Sequence, residues 1–307
     1  MRAVATAGNR WWIYQRERFP LLTQGPVIAA FSFSAVSFSA LLRHRAGPPP
    51  GGVVIVAFLT AIVFFLQLRI ADEFKDAEDD ARFRPYRPVP RGLVRLQELA
   101  IVAVVGGLLQ LLLAVWLDRA LVALLILVWL YLGMMSKEFF VRDWLKAHPF
   151  TYMWTHMLII PLIDLYTSAC DWLVAGAALP RGLSWFLAAS YCNGVVVEIG
   201  RKIRAPESEE RGVDTYTAVW GRRTAVLAWL SGLTSAGAFA VIASSRVGFV
   251  LPTLALVVTL LAGAALAAAR FLGNPVAARA AFFEPISGLW TLLIYLSLGV
   301  VPLLRRM

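Results

Sequence analysis

The chain has 307 residues, of which 59% are hydrophobic and 16% charged, and its mean hydropathy is +0.70. A water-soluble domain cannot hide that much apolar surface, so the solvent for most of this chain is lipid. The net charge of +10 fits membrane topology and anionic headgroups and gives no reason to invoke nucleic acid.

In chain order, residues 1–20 carry arginines but lack the short apolar stretch and small-residue cleavage site of a signal peptide. They are expected to form a cytoplasmic leader with an interfacial Trp-Trp-Ile-Tyr patch. Residues 21–307 are expected to form one all-α transmembrane domain, a nine-helix bundle around a central cavity open to the cytoplasmic side. The spans fall near 21–42, 53–71, 98–117, 119–137, 151–171, 182–200, 223–244, 248–270 and 282–303. Turn chemistry separates them, as in HRAGPPPGG at 44–52 and ALPRG at 178–182. Of the 29 Lys and Arg, 22 lie on the N-terminal face of this arrangement and 7 on the other. The positive-inside rule then places the N-terminus and the loops 72–97 and 201–222 in the cytoplasm, with the C-terminus external. The excess of Arg over Lys suggests a bacterial inner membrane. Cys170 and Cys192 share no ligand spacing and are expected to be small buried hydrophobes.

The second span empties into ADEFKDAEDDARFRPYRPVPRG, residues 71–92. Asp72, Asp76 and Asp80 recur every four residues, so a helix continuing out of the span would carry them on one face. Glu73, Glu78 and Asp79 crowd the same turns, and like charges at this spacing repel unless a cation sits between them. A hard divalent ion such as Mg²⁺ answers that need with one or two carboxylates, leaving positions for phosphate oxygens. A solvated acidic helix end is the bland alternative. Arg84, Arg87 and Arg91 follow on a backbone stiffened by Pro85, Pro88 and Pro90, and guanidinium forks suit phosphate. A diphosphate cradle is the chemistry this combination favours.

These residues resemble the first aspartate-rich motif of the UbiA superfamily of intramembrane prenyltransferases, which reads NDxxDxxxD followed by RPxRPLPxG. Here Asp72 stands at the usual Asn and Glu73 at the usual first Asp, while Asp76 and Asp80 match. The resemblance implies a nine-helical fold with a second motif after the sixth span. It also implies transfer of a prenyl group from an allylic diphosphate to a lipophilic, often aromatic, acceptor with Mg²⁺. Asp72, Asp76 and Asp80 would be catalytic, and Asp72, Glu73, Asp76 and Asp80 would be metal ligands. Around the second motif, EIGRKIRAPESEERGVDTYTAVWG, the chain departs from the pattern. Gly212, Thr215 and Gly221 fit, but the usual aspartate positions hold Arg201, Arg204 and Ser208. Either Glu198 or the acids at 207–214 supply a metal from shifted positions, or Arg201, Lys202 and Arg204 contact the diphosphate in its place, or catalysis is lost.

Asp164, deep in the fifth expected span, is a candidate acceptor-binding or proton-accepting residue, set against a helix–helix partner. Gln67 and Asn193 either orient the site or make interhelical hydrogen bonds. His148 and His156 lack a third ligand, so no metal is expected there. Lys137, Arg142 and Lys146 extend an anion-attracting rim, with Lys137 and Arg142 taken among the diphosphate-binding residues along with Arg84, Arg87, Arg201, Lys202 and Arg204. Two other function classes compete with the prenyltransferase: a terpene-cyclase-like relative or other phosphorylated-group transferase, and a non-catalytic divalent-ion or lipid-binding protein. Membrane lipids are expected partners, and no protein partner is implied.

Overall fold

The computed structural model describes residues 7–307, so residues 1–6 of the expected leader lie outside the described residues. The described residues form helices and no strands. In chain order these are α1 (Ala7–Arg18), α2 (Leu21–Leu42), α3 (Gly51–Lys75), α4 (Ala77–Phe83), α5 (Leu96–Leu117), α6 (Leu121–Ser136), α7 (Arg142–Ala147) and α8 (Pro149–Met157). There follow α9 (Ile159–Trp172), α10 (Leu183–Gly200), α11 (Tyr216–Trp220), α12 (Arg222–Ser245), α13 (Val250–Gly273), α14 (Ala277–Ala280), α15 (Phe283–Leu298) and α16 (Val300–Arg306).

Among the described residues, seven helical stretches are long and apolar enough to cross a membrane, which makes this a multi-pass membrane protein. At about 1.5 Å per residue, the 25 residues of α3 reach about 38 Å, beyond a hydrocarbon core of about 30 Å. Its last turn, with Asp72 and Glu73, therefore emerges among the headgroups. The expected fourth span is the 16-residue α6, too short to cross on the same arithmetic. The expected fifth span is divided at Leu158 into α8 and α9.

Successive long helices pack side by side: α2 on α3, then α5, α6, α9, α10, α12, α13 and α15, which returns to α2 and closes the ring. Contacts of α2 with α9 and of α10 with α15 cross the interior. Of the apolar window of α2, 67% is buried, against 17% for α5 and for α13, so α2 is central and those two face lipid. Leu112, Trp116 and Leu251 are accordingly exposed. The expected leader forms α1, which is tied to the bundle by ion pairs of Arg10 with Glu98 on α5 and of Arg18 with Glu73 on α3. Tyr14 and Phe19 are buried in that contact.

Polar side chains inside the bundle tie helices to one another. Ser39 and Arg43 at the end of α2 hold Asp171 of α9 at 2.7 and 3.1 Å. Gln67 donates to the Ala103 carbonyl at 3.2 Å, and Trp290 donates to Asn193 at 3.1 Å. Both are interhelical bonds, the second of the two roles the sequence left open for Gln67 and Asn193.

At the charged end, α10 meets α15 through Gly200. A Cβ there would lie 2.1 Å from Ser287 Oγ and 3.1 Å from the Phe283 carbonyl. Gly200→Ala should therefore force the helices apart and cost about 1–3 kcal/mol. Gly133→Ala, in α6 with nothing within 4 Å of the new methyl, should be neutral or stabilise by up to about 1 kcal/mol. Thermal unfolding of the two variants in the same detergent checks the contrast.

Candidate active site

The interrupted end of α3, the start of α8 and the end of α10 meet at one end of the bundle, and the two motif loops close over them. Tyr86 in the first loop donates to Glu210 in the second at 3.2 Å. Phe83 fills the space beside Gly212, where a Cβ would stand 2.6 Å from its ring. Gly212 also has φ +77°, in the left-handed region, so glycine is required there twice over. The loops expected to face each other are in contact.

The carboxylate ladder is not one continuous helical face. The helix is interrupted at Asp76 (φ −93°, ψ 5°), where α3 ends and α4 begins. Each acid then finds a different environment. Asp72, about one-third exposed, has Arg69 at 3.4 Å and Lys75 at 3.9 Å. Glu73, expected as a metal ligand, is buried and paired with Arg18 of α1, so its charge is already neutralised on the α1 side. Asp80, also expected as a ligand, is buried between Arg84 at 2.8 Å and Arg87 at 2.7 Å. It orders the two arginines of the proline-rich tail instead of standing free. Arg91 turns to Glu17 and to the Tyr86 carbonyl, both at 2.9 Å.

Asp76 is the exception, with no ion-pair partner among the described residues. Burial raises its pKa above the ordinary aspartate value; Lys75 opposes the rise and Asp72 and Asp80 add to it. No group of three or more His, Cys, Asp or Glu converges on a point among the described residues. Mg²⁺ needs fewer, since one or two carboxylates plus phosphate oxygens and water complete its shell. The one-third-exposed Asp72 and the unpaired Asp76 fit that requirement, whereas Glu73 and Asp80 are already taken up by arginines.

On the second-motif side, Glu198 is gripped by Arg201 at 2.5 Å and Lys202 at 2.8 Å, with the Tyr216 hydroxyl at 3.5 Å. Glu198 is therefore an anchor for two cations, not the free metal ligand expected from the sequence. Arg201 is held protonated, its pKa raised first by Glu198, and it also feels Asp72 across the site. Arg204 turns away: its side chain lies 3.7 Å from Glu210 and its backbone N–H donates to Thr217. Among the rim residues, Arg142 lies 3.6 Å from the buried Glu138, Lys146 lies 3.6 Å from Asp79, and Lys137 is exposed.

Three participants were not singled out from the sequence. Lys75, between Asp72 and Asp76, donates to the Tyr152 hydroxyl at 2.5 Å and is half-buried; a lone cation inside an acid ladder was the available signal. Tyr152 had no distinguishing pattern. Glu138 begins a run of three left-handed residues, Glu138, Phe139 and Phe140 (φ 48°, 52° and 62°), which sequence does not announce. Asp164 lies elsewhere, fully buried, accepting from Ser190 and, at 2.9 Å, from Tyr295. It links α9, α10 and α15. Two open depressions, about 270 and 360 Å³, lie on the flanks of α3, one beneath α1 and one beside α6, and neither is lined by the charged residues of the site.

No family model matches the chain, and no curated protein does. Solved structures do. A UbiA homolog from Aeropyrum pernix K1, in its apo form, superposes with a TM-score of 0.67 at 15% identity, covering 92% of this chain and 98% of that one. Digeranylgeranylglyceryl phosphate synthase gives 0.58 at 14% identity, covering 96% and 99%. A UbiA homolog from Archaeoglobus fulgidus, bound to DMAPP and Mg²⁺, gives 0.52 at 11% identity, covering 91% and 98%. The chain has the UbiA fold over nearly its whole length.

The uncompensated charge of Asp76 has a measurable consequence for the metal-free protein. Because its folded pKa is raised, the native state holds a proton that the unfolded chain has already lost between the ordinary and the raised value. Stability therefore falls as pH rises through that window. Asp76→Asn should remove this slope and make the metal-free protein more stable at neutral pH than the wild type. Thermal unfolding in a chelator across a mildly acidic to neutral series measures it, and identical slopes would contradict the assignment.

Proposed function

We propose that this protein is an intramembrane prenyltransferase, moving a prenyl group from an allylic diphosphate to a lipophilic acceptor, aromatic in the first instance, with the charged end at the cytoplasmic face. The observation that carries this is a surplus of cations around Asp76, a part-buried carboxylate that none of them pairs. Arg18, Arg69, Lys75, Arg84, Arg87, Arg142, Arg201 and Lys202 are set against Asp72, Glu73, Asp76, Asp80, Glu138 and Glu198. Such a site attracts a polyanion and offers it a place for one hard cation. The UbiA fold around it, and a relative with that fold bound to DMAPP and Mg²⁺, support the choice of polyanion.

Asp72 and Asp76 are the residues that would hold Mg²⁺, which supplies positive charge to the leaving diphosphate. The chain's own part is electrostatic and geometric. Lys75, Arg69, Arg201 and Lys202 present donors from two sides, and charge-assisted bonds to phosphate oxygens strengthen as negative charge builds on the leaving group. Arg84 and Arg87 are ordered by Asp80 at the mouth, where they meet the diphosphate on entry. Lys137 and Arg142 belong to the outer rim and act through long-range attraction. The apolar interior keeps water from the allylic cation. Asp164, tied to Ser190 and Tyr295, holds helices together and has no chemical role in this scheme.

Purified protein in lipid nanodiscs with Mg²⁺ and a series of allylic diphosphates should release diphosphate when an acceptor is supplied. Release without any acceptor would favour a cyclase-like activity, and no release with any substrate would refute both. Asp76→Asn should lower turnover about a hundredfold or more, the usual scale for losing transition-state charge stabilisation. The two second-motif arginines separate: Arg201→Gln should weaken allylic diphosphate binding by about 1.5–3 kcal/mol, the value of a hydrogen bond to a charged group. Arg204→Gln, whose arginine is turned toward Glu210, should leave it nearly unchanged. Isothermal titration with a non-hydrolysable allylic diphosphate decides between them.

A further inference from the structure

His156 is buried, 6% exposed, and its Nε2 has no hydrogen-bond partner. Its Nδ1 lies 2.7 Å from the Tyr152 carbonyl oxygen. A carbonyl only accepts, so Nδ1 carries the hydrogen, and the neutral ring keeps a free lone pair on Nε2. The ring is clamped: Tyr152 stacks on it at 3.9 Å and 15°, and Phe139 stands edge-on at 5.8 Å. A histidine with no metal partner, fixed in one tautomer and one orientation with its basic nitrogen unused, is more than packing requires.

Its depth gives it a task. α3 runs toward the charged end of the bundle, whereas α8 and α9 run away from it, to Asp171 at the opposite end. Tyr152 is level with Lys75, to which it is hydrogen bonded. His156 lies one helical turn beyond Tyr152, about 5–6 Å nearer the membrane centre. His156 feels the charges of Lys75 and Asp72 on α3 and of Glu198 on α10, and Tyr152, stacked on its ring, joins it to Lys75. An allylic diphosphate with its phosphates at Lys75 must place its first carbon on the membrane side of them. The acceptor must approach at that same level.

We propose that His156 Nε2 is the base that takes the proton from a hydroxyl-bearing acceptor, so that the acceptor class is a lipophilic phenol or alcohol. This rests on the prenyltransferase assignment above. The bond between the first allylic carbon and its diphosphate oxygen breaks, its electron pair leaving with the diphosphate. The acceptor oxygen supplies the pair for the new carbon–oxygen bond, and its proton passes to Nε2. The imidazolium then returns that proton to the departing diphosphate, which leaves the histidine neutral for the next cycle. Tyr152, which fixes the ring, is a positioning residue, and His156 touches the acceptor.

His156→Asn tests this, because the shorter amide can still donate to the Tyr152 carbonyl while nothing remains at the Nε2 position; His156→Gln, closer in bulk, serves if Asn does not fold. Two phenols are offered to the protein in nanodiscs with dimethylallyl diphosphate or a longer allylic diphosphate. Para-cresol keeps its proton at about pH 8 and needs a base, whereas para-nitrophenol is largely ionised there. General-base loss commonly costs a hundredfold or more. The variant should therefore lose about that factor with para-cresol, stay within about threefold with para-nitrophenol, and keep wild-type affinity for the diphosphate. A purely structural histidine would depress both phenols alike, and that outcome, or no depression at all, overturns the proposal. A binding measurement does not need turnover. At about pH 6, where para-nitrophenol keeps most of its proton and can donate it to Nε2, the phenol, followed by its absorbance, should bind the wild type about tenfold more tightly than the variant, and equal affinities overturn the proposal too. Failure of the prenyltransferase assignment looks different: the wild type would release no diphosphate from any allylic substrate while the difference in phenol binding persisted.

Discussion

Asp72, Glu73, Asp76, Asp80, Glu138 and Glu198 crowd the centre of the charged end of the bundle, and the helices that carry them can pack only if cations neutralise them. Glu73 is answered by Arg18, Asp80 by Arg84 and Arg87, Glu198 by Arg201 and Lys202, Asp72 by Arg69 and Lys75, and Glu138 by Arg142. Each pairing also locks pieces of chain together. Arg18–Glu73 fixes α1 on α3, Asp80 folds the proline-rich tail back on α4, and Glu198 gathers the start of the second loop. Asp76 is left out, and the arrangement around it is too cationic for the carboxylates it contains. A divalent cation and a phosphate-rich anion together would supply a partner for Asp76 and a counter-charge for the arginines and lysines, so that one ligand pair would satisfy the whole cluster, as the proposed function requires.

The rest of the fold follows from lipid as solvent. Apolar side chains face outward on α5, α6 and α13, and the buried side of α2 is lined with Ser32, Ser34, Ser37 and Ser39. Small residues let neighbouring backbones approach, which is how helices associate when burying leucine gains nothing over lipid. Gly299 shows the limit of that approach, since a Cβ there would lie 2.4 Å from the Ser34 backbone. Asp164 belongs to the same logic. A carboxyl at that depth is costly, and donors from Ser190 and Tyr295 on two neighbouring helices make it a tie between them.

Hydropathy made the membrane-spanning character and the helix order legible, because the contrast between lipid-facing stretches and Gly/Pro-rich turns is a local property of the chain. The two charged loops were legible for the same reason, and so was their meeting, once Asp72–Gly92 and Glu198–Gly221 were placed at one end. The partners within the site were not. Four-residue spacing put Asp72, Asp76 and Asp80 on one face only for an uninterrupted helix, and the break at Asp76 depends on tertiary packing. Glu73 and Glu198 looked like ligands because the residues that neutralise Glu73 come from a helix 55 positions away, and because Arg201 and Lys202 were counted as free cations. His156 has no third metal ligand in the sequence, and nothing in its spacing announces that Tyr152 and Phe139 clamp its ring.

Three interruptions of regular helix lie toward this same end: Asp76 between α3 and α4, Leu158 between α8 and α9, and the left-handed run from Glu138 to Phe140 between α6 and α7. Irregular backbone at membrane depth survives only where protein or water covers it. Non-glycine residues in the left-handed region cost about 1–3 kcal/mol each and persist only where surrounding contacts over-determine them. Those contacts are visible at Phe139, which stands edge-on to Tyr131 at 5.5 Å and to His156 at 5.8 Å. The strained turn thus presses on the histidine ring from one side while Tyr152 holds it from the other, and Tyr152 in turn is bonded to Lys75, which lies between Asp72 and Asp76. A displacement of Lys75 toward a diphosphate would pass through Tyr152 to His156 by direct contact. In the proposed scheme, the group that would grip the leaving anion and the group that would face the acceptor are therefore in mechanical contact through Tyr152, carried on segments the bundle keeps irregular.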